Sequence, residues 1–182
     1  MKAPITYTPG FVTDAAAAFK ALWEELAWER RGSTPRREYY CNEVDTPYTY
    51  GSGAGVREYL PNVWHPIILA IKAAAEEATG AKYEVCFCNG YEGSRDHLGA
   101  HADNSPEMDD AKPISIVTLG AEREIWFYPN GNKTDLTKVL LQDGSLCVMA
   151  PSMQDEWMHR IPKAGYDCGP RISLTFRGYA AV

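Results

Sequence analysis

Apolar residues recur with helical spacing in two stretches of the N-terminal half. The first stretch runs from about Asp14 to Ala27, and Thr13 stands before it as a candidate N-cap. The second begins at Pro66 and ends at Gly80, with proline in the first turn and glycine after the last. The apolar positions are Phe19, Leu22, Trp23 and Leu26 in the first stretch, and Ile67, Ile68, Ile71, Ala75 and Ala78 in the second. Because each set falls on one face, the pattern predicts two amphipathic helices.

Between the two predicted helices, residues 30–65 have no sustained periodicity and are rich in Gly, Pro, Tyr and Arg. Structureless loops of this length are uncommon in compact domains. We therefore expect short hairpins in this stretch.

After Gly80 the pattern changes to short runs typical of β-strands. Asn-Gly at 130–131, Asp-Gly at 143–144 and Gly-Pro at 169–170 are turn signals between some of these runs. The predicted strands cover 82–91, 97–103, 113–120, 123–129, 138–142, 145–150, 156–161 and 171–179. Short strands that follow two helices predict an α+β fold: a double-stranded β-helix (jelly roll) with both helices packed on the outer face of one sheet.

Length and composition fit one globular domain, with 182 residues, 45% apolar and 23% charged. The net charge of −6 argues against a broad basic surface for nucleic acid, but it is compatible with a local basic patch or a transient contact. No apolar signal segment is visible, and no run approaches the ~20 apolar residues of a membrane span. We expect a cytoplasmic monomer without membrane contact, whose five cysteines are reduced and largely buried.

His101-Ala102-Asp103 places a histidine and a carboxylate at the end of a predicted strand. In extended chain, residues i and i+2 point to the same side, so both groups can reach one metal ion. A third ligand from another strand would complete a facial triad and leave metal positions open for a co-substrate and O₂. Taken alone, the motif is weak and favours an exposed His–Asp pair. His159, in another predicted strand, taken alone fits a core histidine.

The last predicted strand separates polar and apolar residues onto opposite faces. Ile172, Leu174 and Phe176 share the apolar face, which can pack under the helices. The other face carries Arg171, Ser173, Thr175 and Arg177. If that face points between the sheets, its two arginines need an anion, and guanidinium groups bind carboxylates in bidentate fashion. The alternative is a solvated face with ordinary surface charges.

Two other histidines have plainer interpretations. His65 precedes Pro66 and could cap the second helix, whereas His97 lies four residues before His101 and could support the metal ligands from outside.

Three motifs between Asn89 and Gly178 together resemble the AlkB family of nucleic-acid dioxygenases. They are Asn89-Gly-Tyr91, His101-Ala-Asp103 with the distant His159, and the strand from Arg171 to Arg177. The resemblance implies that Fe(II) is bound by His101, Asp103 and His159. It implies that 2-oxoglutarate is bound by Arg171, Arg177, Asn89 and Tyr91, and by Ser173, which stands where several relatives have asparagine and which keeps a donor.

Looser matches upstream concern the substrate. Pro35-Arg36-Arg37 and Tyr48-Thr-Tyr50 resemble the family's nucleotide-recognition lid. The resemblance implies that Tyr48 or Tyr50 stacks on a flipped base and that Arg36 and Arg37 hold flanking phosphates. The alternative is that Tyr39, Tyr40, Tyr48 and Tyr50 pack a hairpin.

One departure from the family lies next to the metal motif. Asn104 stands where repair members carry a carboxylate that suits a cationic methylated base, and Glu107 could substitute for it. The short link between Trp28 and Pro35 leaves no long duplex-probing finger, which favours single-stranded substrates.

The family's chemistry implies an enzyme of DNA-repair type. With Fe(II), 2-oxoglutarate and O₂ it would oxidise a C–H bond, typically on an N-methyl group of a modified base in DNA or RNA, and release formaldehyde. One domain would span 1–182, with helices and lid in 1–80 and the jelly-roll core in 81–182. Two alternatives remain: the same chemistry on a nucleobase in hypermodification, a protein side chain or a small molecule, or a jelly-roll module without metal.

Overall fold

The structure is a computed structural model that describes residues 2–44, 47–50 and 56–180. All eight strands predicted after Gly80 are present, with ends shifted by no more than a few residues. In chain order the elements are β1 (Ile5–Thr8), α1 (Ala15–Glu25), β2 (Arg37–Asn42), β3 (Tyr48–Tyr50), β4 (Arg57–Tyr59), α2 (Pro66–Thr79), β5 (Val85–Tyr91), β6 (Leu98–His101), β7 (Ile114–Gly120), β8 (Arg123–Pro129), β9 (Thr137–Leu141), β10 (Leu146–Met149), α3 (Met153–Glu156), β11 (Trp157–Ile161) and β12 (Arg171–Arg177).

Two antiparallel sheets form the jelly roll that the strand pattern predicted. The major sheet has the order β1-β10-β7-β12-β5-β2, and the minor sheet has the order β6-β11-β8-β9. A separate hairpin, β3-β4, lies in the stretch where we expected hairpins. Because β1 and β2 form the edges of the major sheet, the jelly-roll core also draws on the first 80 residues.

Both helices pack on the outer face of the major sheet, as predicted. Leu22 of α1 and Ile68 of α2 share one buried cluster with the apolar residues of β12, namely Ile172, Leu174 and Phe176. A second cluster, which includes Ile116, Phe127 and Trp157, joins residues of the major and minor sheets. The two faces of β12 therefore have different surroundings, with helices on one side and the space between the sheets on the other.

The helix ends follow the predicted signals with one correction. Asp14, not Thr13, is the N-cap of α1, since its carboxylate accepts from the amide of Ala17 at 3.4 Å. The His65 prediction is confirmed, because its Nδ1 accepts from the amide of Ile67 at 3.1 Å at the start of α2. Gly80 ends α2 at a φ of 72°. Ala78 is exposed, so the buried stripe of α2 is narrower than predicted.

Among the described residues, no helix is both long enough and apolar enough to span a membrane.

Gly120 combines a positive φ with a close approach of neighbouring backbone and aromatic atoms. Its φ is +87°, and an added Cβ would lie 2.6 Å from the carbonyl oxygen of Pro170 and 2.8 Å from the ring of Phe19. Gly131 has a similar φ of +79° but no atom within 4 Å of such a Cβ. Substitutions at both glycines introduce backbone strain, but only a substitution at Gly120 also introduces steric overlap. Comparing the two therefore separates these effects.

We predict that Gly120→Ala lowers the free energy of unfolding by roughly 3 kcal/mol, because strain and overlap add. Gly131→Ala, the matched control, should cost only about 1 kcal/mol. Urea denaturation followed by circular dichroism measures both. Equal losses in the two variants would contradict the close approach at Gly120.

Candidate metal centre and co-substrate pocket

The paired strands of the minor sheet bring His101, Asp103 and His159 together. His101 ends β6, and His159 lies directly opposite it on β11. Asp103 follows two residues after His101, and its carboxylate oxygens lie 3.2 Å from His101 Nε2 and 3.4 Å from His159 Nε2. One ligand atom from each residue lies within 4.8 Å of the others. The exposed-pair alternative is therefore wrong, and these three residues could hold a metal ion.

The electrostatics of this group favour a bound cation. Burial alone would raise the pKa of Asp103, but the charge of His101 and hydrogen bonds from both histidines hold it well below its usual value. Burial lowers the pKa of His159, and the charge of His101 lowers it further. Burial also opposes charge on His101, but Asp103 raises the pKa of that imidazole above its usual value. These shifts favour the ionised carboxylate of Asp103 and the neutral imidazole of His159, the states that bind metals, whereas His101 must release a proton when a metal binds.

Backbone and side-chain contacts fix the ligands. His101 Nδ1 lies 2.9 Å from the carbonyl of Gly99, which directs Nε2 towards Asp103. The backbone amide of Asp103 donates to Gln154 Oε1 at 2.8 Å, and the carbonyl of Asp103 accepts from Arg177 Nη2. Gln154 is 3% exposed and belongs to α3, a four-residue helix that the sequence pattern does not indicate. His97 Nδ1 lies 3.2 Å from the carbonyl oxygen of Arg95, and support of the metal ligands by His97 stays a prediction.

Arg171 and Arg177 are buried, so the solvated-face alternative for β12 is wrong. Their exposed fractions are 0% and 5%. Arg171 donates to Thr118 Oγ1 at 2.9 Å, but its Nε and Nη1 have no hydrogen-bond partner among the described residues, and neither has Nε of Arg177. Burial lowers the pKa of Arg171. Burial of guanidinium N–H groups that have no acceptor is costly unless a bound anion accepts hydrogen bonds from them.

Other predicted pocket residues lie beside these arginines. The β12–β5 register places Arg171 opposite Tyr91 and Ser173 opposite Asn89, and all four line one cavity with the metal group. The hydroxyl of Tyr91 is buried and makes no hydrogen bond of normal geometry among the described residues, whereas Asn89 Oδ1 accepts from Arg36 Nε at 2.8 Å. The unsatisfied donors fit the carboxylates of a dicarboxylic acid, and the neighbouring triad fits a divalent metal ion.

Tyr48 and Tyr50 are the residues predicted to stack on a flipped base. Tyr48 lines the cavity but is 5% exposed, packed against Tyr40, Tyr59 and Phe87 with ring centroids 5.5–6.3 Å away. Its hydroxyl lies 2.7 Å from Ser105 Oγ. The hairpin-packing alternative therefore describes Tyr48, and base stacking by it stays a prediction. The backbone of Tyr50 pairs with Arg57, but its side chain lies outside the described part of the chain.

The residues predicted to contact phosphates and the base differ in their exposure to solvent. Arg36 is 7% exposed and lines the cavity, and this burial argues against a contact to surface phosphates. Arg37 lies at the surface, paired with Glu92 at 2.5 Å and stacked over Trp23. Asn104 is exposed and is not among the described lining of the cavity.

Glu38 is a lining residue that the sequence analysis missed. It is 2% exposed and shares the cavity with the metal group. Alternation along β2 and the residue before it would have pointed to Glu38. Arg36, Glu38 and Tyr40 occupy every second position there, and all three line the cavity. That signal was available only once 37–42 was known to be a strand.

Comparison with known proteins agrees with this geometry. A family model described as "2OG-Fe(II) oxygenase superfamily" matches residues 5–177. Alpha-ketoglutarate-dependent dioxygenase alkB homolog 3 of Bos taurus is 33% identical over 93% of this chain and 64% of its own length. DNA oxidative demethylase ALKBH2 of Mus musculus is 28% identical over 80% of this chain and 62% of its own length. The predicted resemblance to the AlkB family is confirmed, and the chain spans less than two thirds of these relatives.

A solved structure supports the fold. The structure described as "The structure of OsALKBH1" superposes with a TM-score of 0.67 and covers 98% of both chains at 15% identity. At that identity the likeness bears on the fold, which is confirmed as a jelly roll.

We predict that Asp103→Asn weakens Fe(II) binding by more than the roughly 10- to 100-fold that follows loss of an outer-shell partner, since it removes the anionic ligand. Anaerobic equilibrium dialysis with elemental analysis measures the affinity. Asp167→Asn makes the same change at an exposed position and should bind like wild type. Wild-type affinity in Asp103→Asn would refute the ligand assignment.

Arg171 and Arg123 offer a matched test of the unsatisfied guanidinium. Both are buried and lie over the Tyr91 ring, but Arg123 donates to the carbonyls of Gly93, Asp96 and Pro162. We predict that Arg123→Met costs about 2–4 kcal/mol of unfolding free energy in metal-free protein, because three acceptors lose their donors. Arg171→Met should cost nothing or stabilise, because it removes an uncompensated charge.

The same Arg171→Met variant should bind 2-oxoglutarate more weakly, and the KM for 2-oxoglutarate should rise by at least about 100-fold. Urea denaturation and co-substrate titration measure the two effects. A marked loss of stability together with an unchanged KM would show that Arg171 is structural.

Proposed function

The chain belongs to the 2OG-Fe(II) oxygenase superfamily, and on that premise we propose that it is an Fe(II)- and 2-oxoglutarate-dependent dioxygenase that dealkylates modified bases in nucleic acid, preferring single strands. The observation that carries this proposal is the pair of buried arginines beside a two-histidine, one-carboxylate group. A metal ion would bind to the two histidines and the carboxylate, and a dicarboxylate would accept hydrogen bonds from the arginines. The names of the relatives, which include DNA oxidative demethylase, support the choice of substrate.

His101, Asp103 and His159 would hold Fe(II), and Arg171, Arg177, Tyr91, Asn89 and Ser173 would hold 2-oxoglutarate. When bound, these groups and O₂ supply the oxidation of a substrate C–H bond, with 2-oxoglutarate converted to succinate and CO₂. Hydroxylation of an N-methyl group lets the product release formaldehyde and the unmodified base.

The chain itself supplies orientation and a dry enclosure. Arg177 contacts the backbone of Asp103, whereas Arg171 lies at the other end of β12 beside Tyr91. The two arginines can therefore orient a dicarboxylate along β12 with one end next to the metal group. Apolar residues line the same cavity and exclude water from the reacting groups, among them Val85, Phe87, Ile116 and Ile125.

One observation favours a second candidate, the same oxygenase chemistry on another substrate. Two arginines outside the described lining of the cavity are paired with acids: Arg37 with Glu92, and Arg30 with Glu92 and Asp96. These pairs reduce the positive field that attracts a phosphate backbone. Salt-dependent binding of a fluorescent single-stranded oligonucleotide would favour the first function, and no binding at low salt would favour the second.

The direct test uses single-stranded oligonucleotides that carry 1-methyladenine or 3-methylcytosine, incubated with protein, Fe(II), 2-oxoglutarate and ascorbate. We predict that mass spectrometry detects loss of one CH₂ unit with wild type and none with His101→Ala, which lacks a ligand of the metal group. Succinate formation without any change in oligonucleotide mass would reject this substrate class and keep the oxygenase.

A further inference from the structure

Glu38 is a buried carboxylate in the wall of the proposed active-site cavity. Its side chain is 2% exposed, and it lines the cavity together with the metal group. It also lines a second cavity of about 290 Å³, so it lies in the partition between the two. Burial of a carboxyl group at this position is costly unless both of its oxygens have partners.

Within the described part of the chain, only one oxygen of Glu38 accepts hydrogen bonds. Oε2 accepts from the hydroxyl of Tyr59 at 2.8 Å and from Arg36 Nη2 at 3.5 Å. Oε1 is buried and has no hydrogen-bond partner among the described residues. Arg57 Nη1 lies 3.8 Å from it, close enough for an ion pair but too far for a hydrogen bond. The negative charge is thus balanced, and the missing element is an N–H or O–H donor.

The surroundings of Glu38 suit a flat ring as the source of that donor. Tyr40, Tyr59 and Phe87 line the same cavity, and the hydroxyl of Tyr59 contacts the carboxylate. Planar heterocycles combine a face that packs on such rings with an edge that carries hydrogen-bond donors. The metal group lies in the same cavity, so an alkyl substituent on such a ring can lie near it while the ring edge meets Glu38.

We propose that Glu38 determines specificity by accepting a hydrogen bond from an exocyclic amino group of the substrate base. The inference rests on the proposed function and assigns to Glu38 the discrimination between an amino group and a carbonyl oxygen beside the alkylated nitrogen. Glu38 thereby takes the recognition role expected of the position after the metal motif, where Asn104 is exposed. A base with a carbonyl oxygen at that edge leaves Oε1 unpaired and brings two acceptors together.

The test compares 3-methylcytosine with 3-methyluracil in otherwise identical single strands, because these bases share the methylated nitrogen and differ at the amino or carbonyl edge. Wild type should have the higher kcat/KM on 3-methylcytosine. Glu38→Gln should lower that value about 10- to 100-fold and change the value for 3-methyluracil little. Glu38→Asp, which keeps the charge beside Arg36 and Arg57, should give a smaller loss of the same selectivity.

Glu29→Gln is the matched control. Glu29 forms a backbone bridge with Glu38, but its side chain is 65% exposed, so the same chemical change there should leave both substrates unaffected. Absence of a wild-type preference, or equal losses on both bases in Glu38→Gln, would overturn the inference and leave the demethylase function standing. Failure of wild type on both bases would overturn the proposed function, and this inference with it.

Discussion

Two guanidinium groups buried on one face of β12 are the constraint around which the proposed site is arranged. Arg171 and Arg177 carry charge into the space between the sheets, where several of their N–H groups meet no acceptor among the described residues. Such an arrangement is unfavourable in the protein alone. It becomes favourable when an anion of matching shape occupies the pocket. Binding of such an anion should therefore raise the free energy of unfolding.

The position of β12 in the major sheet makes this burial possible. Hydrogen bonds to β5 and β7 on either side hold the strand in one register, and its alternating residues then face opposite ways. Ile172, Leu174 and Phe176 pack under the helices and fix the strand from the outside. Since Arg177 also contacts the backbone of Asp103, the same strand links the co-substrate pocket to the metal group.

Features set by local periodicity were predictable from the sequence, whereas those set by contacts between distant segments were not. The eight strands after Gly80 and both helices follow from apolar alternation and from end signals. β1 and α3 are only four residues long and give too little pattern. Motif spacing located His101, Asp103 and the arginines. Gln154 and Glu38 were missed because their roles depend on where α3 and β2 pack, and the burial of Arg36 depends on the same packing of β2.

The most direct test of the central claim is the thermal stability of the anaerobic Fe(II)-loaded protein with either 2-oxoglutarate or 2-oxobutyrate, which lacks the distal carboxylate. If the buried arginines serve a dicarboxylate, 2-oxoglutarate should raise Tm in a concentration-dependent way and 2-oxobutyrate should raise it far less. Equal shifts with the two acids, or no shift with 2-oxoglutarate, would contradict the account.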